Sequence, residues 1–314
     1  MKESTRNETE AMDEQELPMT EQEAIEKIEE YKELAGISYA AVAKELGISQ
    51  TALSDFRNHK YKAPHTVIVK IDALLKYKAE KNLEPVAPDY AATTISRQIL
   101  ATIKYCQLQG KIGCVYGDAG VGKTTTINHF CKGNRLAIKI TISPAFASVA
   151  GFNELLAEVL NIKERVSRRI YREAVMKLMD TGMVLIVDEA QHLTSKTLDY
   201  IRCLCDESGA GVVLVGNEQV YRRIKRNSQA DFAQLYSRVG KPSHVLVNQI
   251  TEDDIRAIFE PYKVSEESIR ILYQIAGTYY GLRGAVNCYV NTVAAFGDVE
   301  AGHIAKMAKE MRIA

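Results

Sequence analysis

Eight residues, 117–124, restrict the fold of this chain more than any other stretch. They read GDAGVGKT, follow a short apolar run at 112–116 and precede a helical pattern that starts at Thr125. Glycines at the first, fourth and sixth positions let the backbone curl so that successive N–H groups and a helix N-terminus point at one anionic centre. The stretch therefore predicts a strand, a phosphate-binding loop and a helix. A chance glycine-rich turn is the alternative interpretation.

The predicted loop supplies a set of candidate nucleotide contacts. Lys123 is expected to reach the β- and γ-phosphates, and the Thr124 hydroxyl is expected to bind Mg²⁺. The residues predicted to contact the nucleotide here are Gly117, Asp118, Ala119, Gly120, Val121, Gly122, Lys123, Thr124 and Thr125.

A second motif completes the predicted site. The apolar run 183–187 ends in Asp188 and Glu189. Asp188 would then lie at the carboxyl end of a buried strand beside the phosphate loop, where it can order a Mg²⁺ ion. Glu189 can orient or deprotonate an attacking water molecule. The two motifs in this order favour a nucleotide site over a solvated turn.

Short apolar runs alternate with helical stretches after residue 92, which is the pattern of a parallel α/β sheet. Five runs are predicted to be strands, at 112–116, 136–142, 183–187, 212–215 and 245–247. The fourth run ends just before Asn217, whose side chain could reach a γ-phosphate or the attacking water molecule. The sequence thus predicts a five-stranded sheet with polar side chains at its carboxyl edge.

The region before the sheet has the pattern of a small all-α domain. Thr20 and Glu23 have the spacing of a capping box, and 38–57 reads as two helices joined by a Gly-Ile-Ser turn. A helix-turn-helix places the start of its second helix in the major groove of DNA. The residues predicted to face DNA are Gln50, Thr51, Ser54, Arg57, Asn58 and Lys60. A helical protein-interaction domain with the same fold is the alternative.

These patterns divide the chain into five segments. We expect an acidic disordered leader at 1–19, a helix-turn-helix domain at 20–81, a linker at 82–91, a nucleotide-binding α/β region at 92–250 and a helical region at 251–314. Residues 1–30 carry 11 acidic and 3 basic side chains, whereas the whole chain is formally neutral. The remainder therefore has an excess of positive charge, which permits nucleic-acid binding without requiring it.

The sequence has no feature of a membrane or secreted protein. Its apolar runs are far shorter than the roughly 20 residues that cross a bilayer, and its first residues are acidic and polar. We therefore expect no membrane partner and a cytoplasmic location.

Two groups of arginines are further candidates for contacts with DNA phosphates. The first has the spacing of one helix face and comprises Arg165, Arg168, Arg169 and Arg172. The second lies in the segment 221–226 and includes Arg223 and Arg226. A solvated surface is the alternative for both groups. Binding through phosphates would show little sequence preference and strong salt dependence.

With these elements in place, residues 92–314 resemble the AAA+ ATPases. The matching elements are Walker A (GDAGVGKT), Walker B (VLIVDE), sensor 1 at Asn217, an arginine-finger candidate at Arg238, sensor 2 at Arg283 and a helical lid after Ile250. Arg222, Arg223 and Arg226 are alternatives for the finger. With its N-terminal helix-turn-helix, the chain is most similar to the transposition ATPases, a group that includes phage Mu protein B, IstB and TnsC.

The resemblance implies a mechanism and a set of partners. It implies ATP and Mg²⁺ as cofactors, catalysis by Lys123 and Glu189, and an Arg238 that completes the site of a neighbouring subunit. It also implies an ATP-dependent filament or ring on double-stranded DNA, which selects target DNA and activates a transposase. A nucleotide-switched helix-turn-helix regulator and a helicase loader are the other functions that fit.

Overall fold

The computed structural model of the chain describes residues 17–226 and 238–313, without the side chains of Ile224 and Arg226. The chain divides into two compact units, and the boundary between them in the sequence lies between Pro85 and Val86. Most of the predicted leader lies outside the described residues.

The first unit consists of four helices, α1 (Glu21–Ala35), α2 (Tyr39–Glu45), α3 (Gln50–Arg57) and α4 (Pro64–Leu83). Thr20, Ser38 and Ser49 cap the first three helices by accepting hydrogen bonds from backbone N–H groups. Helices α2 and α3 lie where the sequence predicts the helix-turn-helix. The apolar faces enclose one small core. Met19 belongs to this core and is only 8% exposed, so its assignment to a disordered leader is wrong.

The second unit is built on a fully parallel five-stranded sheet in the order β2-β3-β4-β1-β5. The strands are β1 (Ile112–Gly117), β2 (Ala137–Thr141), β3 (Val184–Asp188), β4 (Gly211–Gly216) and β5 (Val239–Val245). Because all five run in one direction, their carboxyl ends meet at one edge of the sheet. The predicted α/β fold with a five-stranded parallel sheet is confirmed.

Helices cover both faces of the sheet. They are α5 (Thr94–Gln109), α6 (Lys123–Gly133), α7 (Val149–Val159), α8 (Ser167–Leu178), α9 (Ser195–Ser208) and α10 (Glu218–Arg226). Alternate residues of each inner strand point to opposite faces, so Val115 packs in the core with α5 and α6, whereas Cys114 packs in the core with α7, α8 and α9. β1, β3 and β4 are buried along their whole length.

The last four helices, α11 (Glu252–Phe259), α12 (Glu266–Ala276), α13 (Gly281–Phe296) and α14 (Ala301–Glu310), form the helical region that follows the sheet. Their apolar residues share one core with α5 and α6. Asp254 in α11 connects the helical region to the start of α5. Its buried carboxylate accepts a hydrogen bond from the Thr94 backbone N–H at 2.6 Å and, within the helical region, one from the Thr251 N–H at 2.9 Å.

The position predicted for the fifth strand, 245–247, is wrong by several residues. The strand covers Val239–Val245, and Val247–Gln249 forms a short 3₁₀ helix. β5 is the edge strand next to β1, with alternating partial exposure and a proline at Pro242. An edge strand tolerates proline and needs no continuous apolar run, which is why the apolar pattern missed it. Within the described part of the chain, no helix is long and apolar enough to cross a membrane.

We expect Asp254→Ala to destabilise the second unit by about 2–3 kcal/mol, because it removes a buried charged acceptor of hydrogen bonds from two backbone N–H groups and from the Thr94 hydroxyl. The melting temperature of the intact chain should fall by roughly 4–12 °C, as measured by thermal unfolding. Asp253→Ala is the matched control, since the Asp253 side chain is 88% exposed and should cost less than about 1 kcal/mol. Equal losses in the two variants would contradict this role of Asp254.

Candidate functional site

The phosphate loop connects β1 to α6 at the carboxyl edge of the sheet. Its backbone takes conformations that favour glycine, with φ of 138° at Gly117, 74° at Gly120 and 90° at Gly122. A Cβ atom on Gly117 would lie 1.9 Å from the carbonyl oxygen of Val245, and one on Gly120 would lie 2.3 Å from that of Tyr280. Strand β5 and the start of α13 therefore approach the loop too closely for any side chain.

Lys123 lies inside this loop. Its ammonium group donates hydrogen bonds to the carbonyl oxygens of Gly117, at 3.1 Å, and Asp118. Burial lowers the pKa of Lys123, while the nearby carboxylates of Glu189, Asp118 and Asp188 oppose that shift. The ammonium group is thus held at the predicted phosphate position by two carbonyl oxygens, which an anionic phosphate oxygen can replace as the stronger acceptor.

The Asp118 side chain has a structural role. Its carboxylate accepts a hydrogen bond from the Val247 backbone N–H at 2.8 Å, and its own N–H donates to the carbonyl of Val245 at 3.0 Å. Asp118 therefore holds the loop to the end of β5.

The side chains of Thr124 and Asp188 lie together at the carboxyl edge of the sheet. The Thr124 hydroxyl donates to the Asp188 carboxylate at 3.0 Å, and Asp188 is 2% exposed. The pair offers the hard oxygen ligands that Mg²⁺ prefers. Lys139 in β2 places its ammonium group 3.3 Å from the same carboxylate oxygen and 2.8 Å from the Asn128 side chain. The sequence offered no pattern that would single out Lys139.

Glu189 follows Asp188 in the left-handed backbone region, with φ of 57°. Its N–H donates to the Asp188 carboxylate at 3.0 Å. Its own carboxylate accepts a hydrogen bond from the side-chain amide of Gln191, and the oxygen of that amide accepts from the Asn217 N–H at 3.3 Å. Gln191 therefore connects the predicted general base to the predicted sensor, a contact that sequence reasoning missed.

A cavity of about 440 Å³ brings most of these residues together. Its polar wall comprises Gly117, Ala119, Gly120, Gly122, Lys123, Thr124, Thr125, Glu189, Asn217 and Arg283. The Arg283 N–H also donates to the Gly120 carbonyl at 3.1 Å, so the first turn of α13 is bound to the phosphate loop. Of the predicted contacts, Asp118, Val121 and Asp188 do not line the cavity directly, and Val121 is buried in the core.

The other wall of the cavity is formed by residues that the sequence assigned to a linker. Residues 87–91 line it together with apolar side chains of the helical region, Ile258, Leu282 and Val286. Tyr90 is fixed there by stacking on His129, with ring centroids 3.6 Å apart. An apolar wall opposite a phosphate loop suits a nucleotide base. No local motif marks these residues, because their role depends on distant packing.

Arg238 does not reach this cavity. It immediately precedes β5, where Val239 pairs with Ile112, whereas Gly117 pairs with Val245 at the other end of the two strands. Ile112 and Gly117 are five residues apart along β1. The start of β5, beside Arg238, therefore lies roughly 17 Å from the phosphate loop. The Arg238 guanidinium is half exposed and lies 3.6 Å from the Asp206 carboxylate. Arg238 therefore lies outside the nucleotide cavity of its own chain.

The predicted DNA face of the helix-turn-helix is largely exposed, with one exception. Gln50, Thr51, Ser54, Asn58 and Lys60 are all solvent-accessible. The Arg57 guanidinium instead donates to Glu29 at 2.8 Å and stacks over the Tyr39 ring at 3.7 Å. Arg57 thus holds α3 against α1 and α2, and its contact with DNA stays a prediction.

Only three of the four arginines predicted to share one helix face lie on α8. Arg168, Arg169 and Arg172 lie exposed on the helix, but Arg165 precedes its first residue and is not part of that face. Val166, the residue directly before the helix, is 47% exposed. Arg169 lies 3.6 Å from Glu164. The helix therefore presents three arginines, with Arg165 on the adjoining loop.

The second arginine group lies on α10. One nitrogen of the Arg223 guanidinium donates to the backbone carbonyls of Gln191, at 2.7 Å, and Leu193, at 2.9 Å. Arg223 is thus a cross-link between α10 and the turn after β3, and its contact with DNA phosphates stays a prediction. The Arg226 side chain lies outside the described part of the structure.

Comparison with known proteins identifies the family. Residues 107–224 match the family described as AAA domain. The chain is 33% identical over 273 residues to the Mu-like prophage FluMu DNA transposition protein B of Haemophilus influenzae, a match that covers 84% of this chain and 94% of the relative. The chain belongs to the Mu B family of AAA+ transposition proteins. The predicted resemblance is confirmed.

A second relative and a solved structure are also similar to this Mu B family member. It is 31% identical over 245 residues to the ATP-dependent target DNA activator B of Escherichia phage Mu, which covers 76% of this chain and 78% of the phage protein. The solved structure of the Aeropyrum pernix ORC2 protein matches with a TM-score of 0.50 and 16% identity, over 68% of this chain and 67% of that one. This second likeness shows the fold alone.

We expect Lys139→Met to destabilise the nucleotide-free protein by about 1–3 kcal/mol, because it leaves the buried Asp188 carboxylate without its cationic partner. Added ATP and Mg²⁺ should reduce that loss, since a bound cation supplies the missing positive charge. Thermal unfolding with and without the nucleotide measures both effects. Lys132→Met, at an exposed position on α6, is the control. A loss of the same size in both conditions would argue against this pairing.

Proposed function

We propose that this Mu B family member is an ATPase that assembles on double-stranded DNA when ATP is bound, and that delivers target DNA to a transposase and activates it. The observation that carries the proposal is the convergence of Lys123, Thr124, Glu189 and Arg283 around one cavity, with Asp188 bonded to Thr124. The names of the relatives support the DNA and transposition part, since the phage Mu protein is an ATP-dependent target DNA activator.

In the proposed mechanism, the residues at the cavity have separate roles in ATP hydrolysis. The phosphates bind the loop N–H groups and Lys123, and Thr124 and Asp188 hold Mg²⁺, which neutralises phosphate charge when bound. Glu189 accepts a proton from the attacking water molecule. Asn217 and Arg283 contact the γ-phosphate from the end of β4 and from the helical region. Residues 87–91 and the apolar wall receive the base.

The position of Arg238 supports a role in subunit assembly. This arginine is about 17 Å from the phosphate loop of its own chain, and in the proposed assembly it completes the site of a neighbour, where it stabilises the charge that develops on the γ-phosphate. A contact between two different surfaces of identical chains produces a ring or a helical filament. ATP at that contact therefore links the subunits.

The exposed cations provide the contacts with DNA. Arg168, Arg169 and Arg172 on α8, with Arg165 beside them, reach phosphates without reading bases. The exposed polar face of α3 adds contacts through the helix-turn-helix. We expect binding to be nearly independent of sequence and weakened by salt. The chain acts in the cytoplasm of a bacterial host.

A binding assay on two unrelated duplexes tests this function. We expect filaments or rings on both duplexes with ATP or a non-hydrolysable analogue, and none with ADP, by mobility shift and electron microscopy. Lys123→Ala should abolish assembly because it removes the phosphate contact, whereas Glu189→Gln should stabilise assembly because ATP stays bound. Tight, nucleotide-independent binding to one duplex would favour a regulator. Failure to bind DNA together with recruitment of a helicase would favour a loader.

A mixing experiment tests the role of Arg238. Arg238→Ala and Glu189→Gln should each abolish DNA-stimulated ATP hydrolysis when assayed alone. An equal mixture should regain activity, because random assembly gives about one interface in four with an intact Glu189 on one side and an intact Arg238 on the other. Lys123→Ala mixed with Glu189→Gln is the control, because both changes fall on the same side of the interface. No recovery in the first mixture would refute action in trans.

A further inference from the structure

The acidic start of the sequence has no part in the ATP and DNA contacts proposed above. Residues 1–16, the acidic segment, carry two basic side chains, Lys2 and Arg6, and six acidic ones. The acidic residues are Glu3, Glu8, Glu10, Asp13, Glu14 and Glu16. The segment lies outside the described residues, but the structure shows the point at which it joins the first unit. That point determines which surfaces the segment can reach.

The acidic segment joins the first unit beside the end of α3. Met19 is buried in the small core, and the Thr20 hydroxyl caps α1. The next residue, Glu21, places its carboxylate 3.1 Å from a ring nitrogen of His59. His59 lies two residues after Arg57, the last residue of α3. The acidic segment therefore starts from the carboxyl end of the predicted DNA-contacting helix.

Carboxylates of α1, the helix that follows the acidic segment, already contact this end of α3. Glu29 forms an ion pair with the Arg57 guanidinium at 2.8 Å, and Glu21 faces the His59 ring. Two basic side chains at the end of α3 thus have acidic partners from the N-terminal part of the chain. The acidic segment adds six more carboxylates at the same place.

Lysines lie at both ends of the exposed face of α3. Lys60 and Lys62 follow the helix and are exposed. Lys70 of α4 is also exposed, and its ammonium group donates to the Gly47 carbonyl at 3.2 Å, in the turn before α3. The α3 face between these lysines presents the exposed polar side chains of Gln50, Thr51, Ser54 and Asn58. A flexible polyanion laid along α3 can therefore bind cations at both ends of the helix.

The acidic segment is long enough to cover the α3 face. Sixteen residues of extended chain reach about 50 Å, whereas the eight residues of α3 extend only about 12 Å. Single exposed ion pairs are weak. Because the segment is tethered next to its site, however, its effective concentration there is on the order of millimolar. Several weak ion pairs are then enough to occupy the face.

We propose that the acidic segment binds the α3 face of its own chain and competes there with DNA. Its carboxylates take the places of phosphates at Lys60, Lys62 and Lys70. A duplex carries about one negative charge per 1.7 Å of its axis, a higher density than the segment, and so displaces it. The segment thereby weakens the DNA contacts of the helix-turn-helix. The proposal rests on the DNA binding proposed above and describes its regulation.

Zero-length cross-linking with a carbodiimide, followed by mass spectrometry, locates the acidic segment directly. In the intact, DNA-free chain we expect cross-links from its carboxylates to Lys60, Lys62 or Lys70, and their loss when a duplex is added. A mixture of ¹⁴N- and ¹⁵N-labelled chains shows whether each cross-link lies within one chain. Absence of cross-links to these three lysines, or cross-links only between different chains, would overturn the proposal.

The affinity for DNA measures the competition. Neutralising the three acids nearest to Met19, by Asp13→Asn, Glu14→Gln and Glu16→Gln, should tighten binding to a labelled duplex by about three- to tenfold, the effect of a few exposed ion pairs. Fluorescence anisotropy with a non-hydrolysable ATP analogue is the measurement, and the gain should shrink as salt rises. The matched control combines Glu33→Gln, Glu80→Gln and Glu84→Gln, which remove the same charge at exposed positions of the same unit. Its affinity should change by less than about twofold. Equal gains in the two variants would contradict the competition.

A third variant separates competition from simple repulsion between the acidic segment and DNA. The chain with Lys60→Gln, Lys62→Gln and Lys70→Gln should bind DNA more weakly. Neutralising the three acids in that background should bring little further gain, because the segment has lost its site. The same gain with and without the lysines would indicate repulsion and overturn the proposal, while DNA binding itself stands. A wild-type chain that binds no duplex in any nucleotide state would instead refute the proposed function.

Discussion

The close approach of β1 and β5 is the constraint on which the site depends. Strand β1 lies between β4 and β5, and at its end the Gly117 backbone meets the Val245 carbonyl so closely that no side chain fits. This contact turns the chain into the phosphate loop and directs its N–H groups at one point. The same sheet edge brings Asp188 and Asn217 from the neighbouring strands to that point, because parallel strands end together. The chemistry of the site follows from this geometry.

Charge balance in the site is maintained by neighbouring protein groups. The Lys123 ammonium lies on two carbonyl oxygens, the Asp188 carboxylate lies beside Lys139, and the Glu189 carboxylate is held by Gln191. Each of these charged groups therefore has a partner within the protein, which offsets part of the cost of burying it.

Sequence patterns predicted the parts of the site that are local in the chain. The phosphate loop and the Asp188-Glu189 pair carry dense motifs, and the three inner strands β1, β3 and β4 carry continuous apolar runs, because both of their faces are buried. The edge strand β5 was predicted at the wrong residues, since its partly exposed positions and Pro242 give no continuous apolar run. Residues 87–91, Lys139 and Gln191 belong to no motif, and long-range packing alone brings them to the cavity. Arg57 and Arg223 show the converse, since the spacing of arginines does not reveal which guanidinium groups bond within the protein.

In the proposed composite ATP site, one chain contributes the phosphate loop and the strand carboxylates, and a neighbour contributes the arginine. An electron cryomicroscopy structure of Glu189→Gln with ATP, Mg²⁺ and duplex DNA tests this most directly. We expect a triphosphate between the loop and Arg283, Thr124 and Asp188 at the metal, and the neighbour's Arg238 at the γ-phosphate. A triphosphate bound with Arg238 still paired to Asp206 and no subunit across the site would contradict it.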